Sequence, residues 1–204
     1  MFDKPWFTLG LICGILFSSV INLYAIQHNN SSNYFAQYTG SIERAEYYRD
    51  KGDLQRAYEY YTEAVQLSSR NFIKNNTHSE DFVSAMIGAS KCLESMERYD
   101  EAAKAFYLLG NSMQSLGMPK DLIIMNTSSL AYNLYMSGEV QEAAKLWKKT
   151  IAAMRGSKIF NSSCKWAYVD TLYKYAAALE ESDSGTSEEV AQLRARAIKL
   201  QGGD

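Results

Sequence analysis

An all-α chain of repeated helical hairpins, preceded by one N-terminal transmembrane helix, is the fold class the sequence predicts. Two observations carry that reading. Residues 6–26, WFTLGLICGILFSSVINLYAI, contain no charged side chain. Three later stretches then repeat one pattern: GDLQRAYEYYTEAV at 52–65, ERYDEAAKAFYLLG at 97–110 and GEVQEAAKLWKKTI at 138–151.

Composition sets the outer bounds. The 204 residues, 47% hydrophobic and 22% charged, suffice for one ordinary domain plus a small appendage. A formal net charge of −2 leaves no basic excess to neutralise a phosphate backbone, so nucleic acid is not an expected partner.

The apolar segment comes first. Its 21 residues make a helix about 31 Å long at 1.5 Å per residue, matching a hydrocarbon core of about 30 Å. Trp6 and Tyr24 stand at its ends, where aromatic rings favour the lipid–water boundary. A cleaved signal peptide is the competing reading. Ala25 suits the −1 position, but Leu23 is poor at −3 and Asp3 cancels Lys4 in the leading region, so a retained anchor over 1–26 is preferred. Gly10, Gly14 and Ser18, four residues apart, offer a small-residue face for self-association of two such helices. Lys4 on one side, and no Lys or Arg in 27–42 on the other, place the following domain on the extracytoplasmic side. Residues 27–33, QHNNSSN, form a polar tether to a domain over 34–200, and 201–204 are a tail.

The domain divides into helix–turn–helix units. In the first, Tyr38, Ile42, Ala45 and Tyr48 mark one helix, Gly52 supplies the turn and Asp53 caps a second helix. That second helix carries Leu54, Ala57, Tyr61 and Ala64. In the second unit, Met86, Ala89, Ser90 and Leu93 precede Tyr99, Ala102, Phe106 and Leu109. Leu130, Ala131 and Leu134 precede Val140, Ala143, Trp147 and Thr150 in the third. Each aromatic follows its alanine by four residues, so both share one helical face. Gly138 matches Gly52, whereas Glu97 stands at the equivalent turn of the second unit and implies a turn made differently there. The copies begin 45 and 41 residues apart. Inserts near 70–80 and 111–121 absorb the extra length, as extended helix or as loop. A Thr77–Glu80 capping box restarts the helix after the first insert, and Pro119 punctuates the second. A fourth pair closes the array. Residues 164–181 turn Trp166, Val169, Leu172 or Tyr173, and Ala176 inward, and 188–200 follow a Ser187 cap. Arg44, on the first helix of the first unit, either opens that face to solvent or lays its stem along it.

The pattern resembles the tetratricopeptide repeat, in the longer form seen in kinesin light chains and bacterial tandem arrays. Ala45, Tyr48, Gly52, Leu54, Ala57, Tyr61 and Ala64 carry the likeness most fully, and it extends over 38–200. The resemblance implies a right-handed solenoid of three to four repeats whose first helices line a concave face. The matching positions are Glu46, Arg49 and Asp50, then Lys91 and Glu94, then Tyr132, Tyr135 and Met136. They read equally as a peptide-binding groove and as ordinary half-exposed helix residues. Ile42 and Glu46 occupy leading positions of the version that clamps acidic C-terminal tails, which disfavours that ligand.

No chemistry-bearing constellation accompanies the repeats. His28 and His78 lack zinc-binding context, and no phosphate-binding loop or nucleophile elbow occurs. Glu180–Glu181 and Glu188–Glu189 are sequence neighbours whose side chains diverge. The tyrosines at 47, 48, 58, 60 and 61 lack accompanying cations and read as packing. Cys92 and Cys164 are expected as free thiols, with a disulfide as the alternative. Sequons at Asn29, Asn30, Asn75, Asn126 and Asn161 matter only in a eukaryotic secretory lumen. The expectation is a non-catalytic, membrane-anchored scaffold that binds a protein or peptide and needs no cofactor or metal. The alternative is a structural subunit or assembly factor of a membrane complex.

Overall fold

The computed structural model describes residues 33–75, 79–158, 160, 164–182 and 185–202. They form eight helices and no strand: α1 (33–50), α2 (Leu54–Asn75), α3 (Ser79–Ser95), α4 (Tyr99–Ser115), α5 (Lys120–Met136), α6 (Val140–Gly156), α7 (Lys165–Glu181) and α8 (Ser187–Gly202). The segment at 6–26, with Gly10, Gly14 and Ser18, lies outside the described residues, as do His28, Thr77, His78 and Asn161. Among the described residues no helix is long and apolar enough to cross a membrane.

Helices pair as α1–α2, α3–α4, α5–α6 and α7–α8, and each pair packs on the next, giving a solenoid of four hairpins. Within the inserts α2 runs on to Asn75 and α4 to Ser115, and a turn at 116–119 follows α4. The repeated alanines sit at the tightest contacts. Ala57, Ala102 and Ala143 are fully buried beneath Tyr61, Phe106 and Trp147, which are buried too. A buried aromatic fills the space left by its small neighbour, and each such interface hands over to the next along the array. Where the first hairpin meets the second, Gly88 is required for close approach, because a Cβ there would fall 2.4 Å from the Tyr61 ring. The Tyr34 and Tyr38 hydroxyls donate to the Asp81 carboxylate and carbonyl, at 2.9 and 3.0 Å, which ties α1 to α3. Burial, aided by the Asp81 charge, pushes the Tyr38 phenol up to about 12.

The turns correct one expectation. Gly52 and Gly138 take left-handed backbones, at φ 78° and 93°, and Glu97 does the same at φ 60°. The second turn is therefore built like the others. Arg98 N–H donates to the Leu93 carbonyl at 3.0 Å, as Asp53 does to Tyr48 at 2.9 Å and Glu139 to Leu134 at 2.8 Å. This is the six-to-one bond of the Schellman turn, and the bond pattern rather than the residue type fixes the conformation. A non-glycine residue there carries a Cβ–carbonyl clash of about 1–2 kcal/mol. Glu97→Gly is accordingly expected to stabilise the fold by about 1 kcal/mol, after allowing for the looser unfolded chain. Urea denaturation checks this, and a lower midpoint would show that the Glu97 side chain contributes more than its backbone costs.

Side-chain caps start α2 and α8, whereas α4, α5, α6 and α7 begin without one. Asp53 Oδ1 accepts from Arg56 N–H at 3.2 Å, as the sequence indicates. For α8 the cap is Thr186, whose hydroxyl accepts from Glu189 N–H at 3.1 Å, one residue before the expected Ser187. Pro119 immediately precedes α5, and its carbonyl accepts from Leu122 N–H at 3.0 Å. Cys92 is buried and Cys164 partly so, both as free thiols, and burial pushes the Cys92 thiol up. Asn126, in one of the sequons, is 7% exposed and hydrogen-bonded inside the fold, so it is inaccessible to glycosylation once folded.

Candidate functional site: the groove of the first helices

The first helices of successive hairpins, α3, α5 and α7, line a half-open groove with a cavity of ≈ 210 Å³. Its floor is apolar: Phe106 and Met113 come from α4, Met125 from α5 and Met154 from α6. Two large apolar side chains form its lip. Trp166 at the start of α7 is 65% exposed and Leu122 near the start of α5 is 38% exposed.

Charges rim the groove in matched pairs. On α3, Lys91 lies 2.9 Å from Glu94, and on α7, Lys174 lies 2.8 Å from Asp170. Each ammonium also caps an aromatic ring, with Lys174 Nζ 4.3 Å from the Tyr132 centroid and Lys91 Nζ 5.5 Å from that of Phe106. Glu94 is fixed from its other side by Asn133, whose Nδ2 donates at 2.7 Å. The rim is thus electrically balanced, and its long side chains lie over apolar surface.

Asn126 anchors the middle of the floor. Its Nδ2 donates to the Phe106 carbonyl at 2.9 Å, and Gly110 makes room, since a Cβ at Gly110 would stand 2.9 Å from that nitrogen. Across the groove, the Ser128 and Thr171 hydroxyls lie 2.8 Å apart and join α5 to α7. The first bond ties α5 to α4 and the second ties α5 to α7, so the floor and one wall of the cavity are braced.

The sequence-derived groove residues divide into two groups. Lys91, Glu94 and Tyr132 line the cavity. Tyr135 and Met136 lie farther along α5, outside it. The Tyr135 hydroxyl donates to Glu181 and its ring sits 5.7 Å from that of Trp147, while Met136 is exposed. The hydrogen bond to Glu181 raises the Tyr135 phenol above its ordinary value. Glu46, Arg49 and Asp50 belong to the first hairpin and do not reach the cavity. Arg49 pairs with Asp50 at 3.2 Å and donates to the Tyr61 hydroxyl at 3.1 Å.

Trp166 departs from the expectation that it faces inward. The α7 core face carries Tyr168, Leu172, Tyr175, Ala176 and Leu179, while Trp166, Asp170 and Lys174 follow at four-residue spacing along the groove side. That spacing was present in the sequence. It was hidden because α7 is apolar around most of its circumference.

Other side chains have local partners. Glu180 reaches Arg194 at 2.6 Å and Glu181 reaches Tyr135, so the adjacent carboxylates do diverge. The tyrosine cluster does have cations: Arg44 lies 5.7 Å over Tyr60, Arg56 lies 5.3 Å over Tyr48, and Tyr48 stacks on Tyr60 at 5.5 Å. Arg44 is therefore exposed, with its guanidinium folded over an aromatic face. Among the described residues no group of three or more His, Cys, Asp or Glu is placed to hold a metal ion.

Solved structures superpose on this arrangement of hairpins. A Podosopora anserina protein described as a kinesin light chain with nearly identical TPR-like repeats aligns with TM-score 0.63 and 15% identity, over 80% of this chain and 74% of that one. The fold is tetratricopeptide-like. The Rap conjugation gene regulator of plasmid pLS20, solved in complex with a Phr peptide, aligns with TM-score 0.63 and 12% identity, over 83% of this chain and 44% of that one. This chain therefore spans less than half of the Rap regulator. No family model and no curated protein matches the chain.

Proposed function

We propose that this tetratricopeptide-like chain is a non-catalytic scaffold that binds a peptide segment of a partner protein in the groove of its first helices. The observation that carries the reading is the apolar cavity between α3, α5 and α7, with Trp166 and Leu122 exposed at its lip. A large apolar side chain left in water beside a concavity marks an interaction site more often than a structural one. The Rap regulator, of similar fold, is itself solved with a peptide, which supports the same use of a helical-hairpin array.

Tyr132 is the residue to test, because it lines the cavity and holds Lys174 in place. Tyr132→Ala is expected to weaken binding of a co-purifying partner by about 1–2 kcal/mol. Lys148→Ala, on the exposed face of α6, should change affinity little. Isothermal titration of both variants, with folding verified first, is the measurement. Equal affinities for wild type and Tyr132→Ala would remove the groove from the binding reaction.

The proposal includes attachment to a membrane by residues 6–26, with the repeats on the extracytoplasmic side. The length of the charge-free run and the absence of Lys and Arg in 27–42 support it. Full-length protein should remain with membranes through alkaline carbonate extraction, and a chain lacking 1–26 should partition into the supernatant as a folded helical domain. Release of the intact chain by carbonate would refute the anchor.

A further inference from the structure

The opposite face of the solenoid holds a second concavity. It lies between the second helices α4 and α6, with α5 beneath, and has a volume of ≈ 800 Å³ against ≈ 210 Å³ for the first-helix groove. Its apolar wall begins with Tyr107 and Leu108 on α4, which are 59% and 58% exposed. It continues over Leu134 on α5 to Leu146 on α6. Leu108 also edges a smaller apolar depression, of ≈ 420 Å³, on the α2 side of α4. One exposed leucine thus joins two hollows into a continuous strip that none of the described residues covers.

The rim of this groove differs from that of the first-helix groove. Asp100, Glu139 and Glu142 face it, against Lys104 alone. Lys145 lies 3.1 Å from Glu142 and offsets it. Counting Lys104 and Lys145 against Asp100, Glu139 and Glu142, the rim carries one net negative charge, on the α6 edge. The first-helix groove, by contrast, balances Lys91 with Glu94 and Lys174 with Asp170. An apolar trough between two helices with an acidic excess on one edge is complementary to a helix that has an apolar stripe flanked by cations. The stripe fills the trough, and the flanking ammonium or guanidinium groups meet the carboxylates.

We infer that the α4–α6 groove is a second docking site, and that its occupant is a basic amphipathic helix of a partner protein. Such a site is independent of the first-helix groove. A scaffold with two unlike grooves on opposite faces can hold two different segments at once.

The test uses the full-length chain in detergent micelles and a fluorescein-labelled helical peptide of about 18 residues, about five turns. The peptide carries leucines at i, i+3, i+4 and i+7 spacing with lysines on both flanks, and a twin has glutamates in place of the lysines. Anisotropy should show the lysine peptide binding at least about tenfold more tightly than its twin. Leu108→Asp should weaken it by at least about tenfold, and Glu139→Lys should weaken it by several-fold. Leu108 is exposed, so its replacement leaves the fold intact, as circular dichroism will verify. Tyr132→Ala should leave peptide binding unchanged while still impairing the first-helix groove, so the two sites can fail separately. Equal binding to wild type and Leu108→Asp would overturn the inference, since that signal belongs to the micelle. Loss on Tyr132→Ala, or no preference for lysine over glutamate, would overturn it equally.

Discussion

Trp147→Ala is expected to lower the unfolding free energy by about 3–5 kcal/mol. Trp147 is fully buried on α6, within a cluster that includes Ala131 of α5, Ala143 and Ile151 of α6, and Tyr168 and Leu172 of α7. Truncation leaves a cavity that three helices cannot close together, because α5 is already tied to α7 through Ser128 and Thr171. The damage should also be local. In a solenoid each hairpin depends on its neighbours, so the α5–α8 half should open before α1–α4. Hydrogen exchange with denaturant titration checks both statements. A loss under about 1 kcal/mol would mean that Trp147 does not occupy the central position in the third hairpin.

Ala102→Trp attacks the same design from the opposite direction. Ala102 has no exposed surface and lies in a cluster with Phe106, Leu93 and Leu109, where α3 and α4 pack. An indole has no free volume to enter at that point, so the helices must separate. Overpacking of this kind costs about 1–3 kcal/mol or more. The expected result is a clearly lowered thermal midpoint with the helical spectrum retained at low temperature. Ala103→Ser, one residue round the same helix, is a milder comparison. A melting curve for Ala102→Trp that matches wild type would contradict the assigned register of the repeat.

Much of this architecture is legible in the sequence. Alanine followed by an aromatic four residues later, three times over, states that a helix approaches one neighbour closely and fills space against another. Ala57, Ala102 and Ala143 do so without exception. What the sequence hid has physical causes. Glu97 disguised the second turn, because a hairpin turn is selected by its closing hydrogen bonds and glycine only lowers its strain. Thr186 and Ser187 are adjacent residues of equal capping ability, and local pattern does not choose between them. Trp166 reads as inward in the sequence because α7 is apolar around most of its circumference. Only its contacts with α6 and α8 reveal which face is left over for the groove. For the same reason Asp170 and Lys174 gave no separate signal, while Lys91, Glu94 and Tyr132 follow from the resemblance to the tetratricopeptide repeat, which puts first helices along the concave face.

Trp166 also provides the most direct test of peptide binding in the first-helix groove. It is solvent-exposed at the lip, whereas Trp147 is fully buried, so the two indoles report on different environments. In a Trp6→Phe background, acrylamide should quench Trp166 emission in the free protein and leave Trp147 nearly untouched. Saturation with the peptide segment mapped from a co-purifying partner should then protect Trp166 from acrylamide and shift its emission to shorter wavelength. Full occupancy by that peptide with Trp166 still quenched as in the free protein would contradict binding in the groove.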